Sequence, residues 1–154
     1  QLAAALGLPY AFASHFAPRL LMPALELYRS RFRPSQALSR PLTMVGVPVI
    51  AAPTDGEAEF LASSTYQRVL GIVTGQRGLL APPVENFLAQ LGEPERMAIA
   101  DFLALAVVGG PERVREGFAA IHEATQADEF MLVSDVFDAD LRLRSLEIAA
   151  QANA

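Results

Sequence analysis

Apolar and polar positions alternate in two rhythms along this chain, and each rhythm predicts a different kind of element. Gln1-Leu2-Ala3-Ala4-Ala5-Leu6-Gly7 has the look of the last turns of a helix closing on a glycine cap, so the chain is expected to begin inside a helix. Leu8 to Phe16 is short, apolar and aromatic, turns polar at its end, and predicts a strand. Leu21, Leu25, Tyr28 and Phe32 then fall on one face of a 3.6-residue period, with Pro18 or Pro23 placed where a first helical turn tolerates proline. Arg33 to Pro41 is a polar connector.

The run from Leu42 to Ala51 is apolar throughout and suits a strand buried on both faces. Pro48 cannot donate to a ladder, so a bulge or an edge is expected there. Thr54-Asp55-Gly56-Glu57 has the form of a capping box, opening a helix that should run to about Val73. Gly75 to Pro83 is a loop, followed by one or two short helices between Val84 and Leu103, one with Pro94 in its first turn. Leu105 to Val108 predicts a third strand, turned by Gly109-Gly110-Pro111 into a helix with Val114, Gly117, Phe118 and Ile121 on one face. Phe130 to Ser134 predicts a fourth strand, and Asp138 can cap a last helix through Leu141, Leu146 and Ile148. Strands alternating with helices argue for a parallel sheet with right-handed crossovers, in one domain over residues 1–154. A doubly wound open sheet and part of a barrel share this element order.

Composition narrows the function classes. Apolar residues are 52% of the chain and mean hydropathy is +0.28, yet no apolar run approaches the ~20 residues a membrane-spanning helix needs. Net charge is −5 without a basic stripe, which gives phosphate-backbone binding to nucleic acid little to work with. Arg29, Arg31, Arg33 and Arg40 gather around one connector and fit a solvated helix end. The absence of cysteine excludes disulfides and thiolate metal sites and agrees with a cytoplasmic location. His15 and His122 are distant in sequence, so a zinc site is not expected.

Several collinear segments resemble luciferase-like flavin monooxygenases. They are Leu6 to Pro18, Leu27 to Ser35, Arg40 to Ala58, Val108 to Val114 and Ala127 to Met131, in that order along nearly the whole chain. The resemblance implies the C-terminal half of a (β/α)8 TIM barrel, made of four βα units with parallel strands. It further implies that reduced flavin mononucleotide (FMN), or the deazaflavin F420 in some relatives, supports oxygenation of a small organic substrate. Much of the flavin phosphate site in that family lies upstream of Gly7, together with strands this chain lacks. The expected partners are therefore a flavin, a small-molecule substrate, and either further copies of this chain or the missing N-terminal half.

Ser14 and His15 fall at the end of the first strand, where barrel active sites sit. His15 is the candidate catalytic residue and, with Ser14, a candidate flavin contact; equally, it could be a histidine satisfied by a neighbouring loop. Gly109 and Gly110 precede a helix N-terminus that could bind phosphate, although a tight strand-to-helix turn explains them more simply. Ser134, Asp135 and Asp138 end the last strand and read as loop and cap residues. Tyr10, Phe12, Phe16 and Met44 either line a flavin pocket or fill the interior, the second being favoured. A catalytically silent half-barrel that self-associates is the rival to an oxygenase.

Overall fold

The computed structural model describes residues 1–152. Helix α1 (Leu2–Leu6) closes on Gly7, whose φ of 64° is the left-handed cap expected of a glycine, and strand β1 (Tyr10–Phe12) follows. A 3₁₀ turn at Pro18–Leu20 leads into α2 (Leu21–Arg31), then β2 (Thr43–Ala51) and α3 (Asp55–Val73). A second 3₁₀ turn at Phe87–Gln90 precedes α4 (Glu93–Phe102), β3 (Val107–Gly109), α5 (Pro111–Thr125), β4 (Glu129–Val133) and α6 (Ala139–Ala152). All strand pairs are parallel. The first strand is shorter than its apolar run, because Ser14 to Phe16 bend away through turns rather than pairing.

β2 is the centre of the sheet, and its backbone groups alternate between two edges. Leu42 O accepts from Tyr10 N–H at 3.0 Å, and Ala52 N–H donates to Gly109 O at 3.3 Å, so even-numbered groups face β1 and β3. Thr43 O accepts from Asp128 N–H at 3.0 Å, and Ala51 N–H donates to Ser145 Oγ at 2.8 Å, so odd-numbered groups face β4 and α6. The register of β4 runs unbroken from Met44↔Glu129 to Pro48↔Val133, and the bulge expected at Pro48 does not form. Its missing N–H points at the stretch between the end of β1 at Val45 and the start of β3 at Val49.

The strand neighbours differ from a simple succession, because β4 pairs directly with β2 and β3 meets only Val49, Ile50 and Ala51. Leu105 and Ala106 are absorbed into a turn held by Ala106 N–H to Leu103 O at 2.8 Å, which confines β3 to Val107–Gly109. Gly117 lets α5 lie close on β3, since a Cβ there would meet Val107 at 2.8 Å.

Two apolar clusters flank the sheet. Val45, Val47, Val49 and Ala51 pack with Val107 of β3 and with Leu21, Leu25, Phe118 and Ile148 from the helices on one side. Ile50 and Ala52, one residue out of phase, pack with Leu61, Ala62, Val69, Ile99 and Val136 under α3 and α4. Towards the start of the strands that second face is largely bare, apart from Gly46, which His15 covers. Ala11, Met44, Gly46, Glu129 and Met131 share it through the strand register, and Met131 is 53% exposed. No described helix is long and apolar enough to cross a membrane.

Candidate functional site

Parallel strands deliver their C-terminal ends to one rim, and the candidate residues of β1 stand there. Ser14 is fully buried and its hydroxyl donates to Gly46 O, which pins the segment leaving β1 onto the middle of β2. That bond sets His15 against Gly46: a Cβ on Gly46 would stand 2.7 Å from His15 Nδ1, so only glycine leaves room for the ring. His15 Nδ1 is buried and has no hydrogen-bond partner in the protein. Its ring centroid lies 4.2 Å from that of Phe16, which is 65% exposed. A buried imidazole nitrogen with no partner carries a desolvation cost of ~1–3 kcal/mol, which a bound molecule can relieve. Among the described residues, this is the only histidine nitrogen so placed.

Gly109 and Gly110 form a separate group. Gly110 caps α5, and its N–H donates to Asp55 Oδ1 at 2.7 Å, while Arg113 Nη1 lies 3.8 Å from Asp55 Oδ2. A carboxylate therefore already sits at this helix N-terminus, joining the start of α3 to the start of α5. A Cβ on Gly109 would run into the Arg113 side chain at 2.7 Å.

The rim also brings Thr65 and Arg68 of α3, which no motif in the sequence marks, to Asp135. Arg68 on α3 forms an ion pair of 2.5 Å with Asp135, just beyond β4, and Thr65 Oγ1 donates to Asp135 O at 3.4 Å. Ser64 Oγ, Arg68 Nε and Ser134 Oγ are buried without partners. Asp135 reads in sequence as a loop residue, because its partner stands 67 positions away. Asp138 does cap α6, accepting from Asp140 and Leu141 N–H at 3.0 Å each. His122 lies near the end of α5, with Nδ1 3.1 Å from Ala127 O, away from the β1 rim.

Tyr66 faces α3's own Glu59, donating to Oε2 at 3.2 Å. Burial, then the Glu59 charge and this hydrogen bond, hold its hydroxyl far above the usual phenol range, so it serves as a permanent donor. Tyr10 and Phe12 are half-buried beside the helices, Tyr10 stacking on Tyr28 at 5.1 Å, and thus fill space between sheet and helix. Met44 is on the bare face. No group of three or more His, Cys, Asp or Glu side chains among the described residues is placed to hold a metal.

Comparison with known proteins gives a consistent set of relatives. The chain is 44% identical over 149 residues to the luciferase-like monooxygenase of Escherichia coli (strain K12), covering 97% of this chain and 44% of that protein. It is 47% identical over 151 residues to the uncharacterized Bacillus subtilis protein YvbT, covering 97% of this chain and 45% of that one. The crystal structure of apo-MsnO8 superimposes with a TM-score of 0.76 at 30% identity, over 97% of this chain and 46% of that one. The chain thus spans about half the length of the relatives it matches. No protein-family model matches it.

Proposed function

As a chain that belongs to the luciferase-like monooxygenase family and spans half a barrel of it, this protein, we propose, contributes the C-terminal half of a flavin-dependent monooxygenase. The observation that carries the reading is His15 Nδ1, buried and without a partner on the rim where the strands end. A planar heteroaromatic ring offers the hydrogen-bonding atoms this nitrogen lacks, so the residues present fit a flavin, and FMN is the cofactor proposed. When bound, reduced flavin supplies the reaction with dioxygen that places one oxygen atom on the substrate and releases the other as water.

The chain's own residues have distinct parts. His15 contacts the flavin or substrate through Nδ1 and is the group proposed to hold or move a proton, its tautomer set by that contact. Ser14 acts as a positioning residue, since its hydroxyl is spent on Gly46 O and fixes where His15 stands. Phe16, with α3 and α4 over Ile50 and Ala52, supplies apolar walls that keep water from the rim. Gly109 and Gly110 are read as the turn that clips α5 to α3, their phosphate role being displaced by Asp55.

Titration of the purified chain with FMN, followed by visible absorbance, is expected to show saturable binding that His15→Ala weakens at least tenfold. A folded chain that binds no flavin, or binds it equally well without His15, overturns the assignment. The rival, a silent half-barrel that self-associates, draws support from the bare face around Met131.

A further inference from the structure

One charged side chain interrupts the bare face of the sheet. Phe130 and Leu132 pack with the helix-side cluster, so the alternation of β4 turns Glu129 and Met131 to the opposite face. There the register sets Glu129 beside Met44 of β2, and Met44 beside Ala11 of β1. Ala11, Glu129 and Met131 are exposed, and no cationic side chain is among the residues that share this part of the face. Among the described residues Glu129 forms no ion pair, whereas Asp128 next to it is held by Arg40 and Thr43.

That charge decides what can cover the face. An apolar surface closing over Ala11, Met44 and Met131 takes Glu129 out of water with them, and an enclosed carboxylate opposes the contact unless a cation meets it. A second copy of this chain brings none, because its own face offers another glutamate. The relatives carry more than half of their length beyond the matched region, which is chain enough to cover the face. We propose that this face is a docking surface for a segment of that further chain which brings a lysine or arginine to Glu129, and that Glu129 works against pairing of the sheet with its own copies. Copies of the isolated chain can still meet here, each with a carboxylate left without a cation. Neither flavin binding nor turnover enters into this.

Changing the charge at position 129 lets a second copy stand in for the cationic partner. In sedimentation of the whole chain, Glu129→Gln should self-associate about tenfold more tightly than wild type, because no carboxylate is enclosed. Mixed in equal amounts with wild type, Glu129→Lys should form a heterodimer about tenfold tighter than either protein forms alone, its lysine taking the part of the cation. Glu129 is exposed at the first position of β4, so both variants should keep the fold, which circular dichroism of each sample checks. Glu129→Gln associating no more tightly than wild type would mean that a second copy suits the face as it stands, and overturns the proposal. A mixture no tighter than its components overturns the cationic partner. Because no flavin is present, failure here is distinct from failure of the FMN titration.

Discussion

Asp128 illustrates how a single side chain can tie the start of two strands together. It accepts from Thr43 N–H at 2.8 Å and from Thr43 Oγ1 at 3.1 Å, and Arg40 reaches its other oxygen at 3.0 Å. Desolvation works against its charge, yet the Thr43 hydrogen bonds and Arg40 outweigh it and hold the carboxyl below the usual aspartate value. A depressed folded pKa contributes stability above the unfolded value of about 3.9, lost as pH falls through the folded one. Asp128→Ala is therefore expected to lower Tm by about 2–4 °C at pH 7, with the gap from wild type closing below about pH 4. Thermal melts at pH 7 and pH 3 check this, and an equal gap at both would count against it. Gly46→Ala puts a methyl where His15 Nδ1 stands, so it should displace the imidazole while the buried strand remains folded. Flavin affinity falling at least tenfold with Tm lowered by only a few degrees is the expected pair of readings, in a titration and a melt of the same sample.

Elements held by local chemistry were legible in the sequence, and those held by distant chemistry were not. Thr54 caps α3 as its spacing with Glu57 predicts, accepting from Glu57 N–H at 3.2 Å, although Glu57 returns to the Thr54 hydroxyl rather than to the backbone. Gly7 and Asp138 cap α1 and α6 for similarly short-range reasons. The apolar run of β2 revealed a doubly buried strand, but nothing in Val107-Val108-Gly109 says that it meets only the last residues of β2. Likewise, Ser14 and Gly46 are each unremarkable alone, and the His15 placement arises from their contact across 32 positions. Arg40 is solvated as its cluster suggests, its side chain 77% exposed, yet Arg29 and Arg40 also reach Gln126 O at 2.7 Å and Asp128 at 3.0 Å, ties that no local pattern signals. One such long-range tie is testable at this scale. Ser145 on α6 is fully buried and receives the Ala51 N–H, which has no other partner on that edge. Ser145→Ala strands that amide and should cost about 1–3 kcal/mol in a urea melt; a loss under half that would imply another acceptor nearby.

At the scale of the whole molecule, the sheet is covered on one face and only partly on the other. Ala11, Glu129 and Met131 stand exposed on the partly covered face, and the relatives carry roughly twice as much chain. We predict that the isolated chain associates at least into dimers through this face, since exposed apolar surface and a free β4 edge both favour pairing. Sedimentation should show Met131→Lys shifted towards monomer at equal concentration. A wild-type chain that sediments as a folded monomer would remove the premise.

Pro48 has one further consequence. On the β1 side of β2, main-chain bonding stops at one tract and resumes at the next, and the residue between them has no amide proton to leave unmatched. Any other amino acid there would bring a proton that must find a water molecule or a new acceptor. The imino acid thus lets a continuous strand serve two short neighbours in turn, and hydrogen exchange of the two tracts should be free to occur independently.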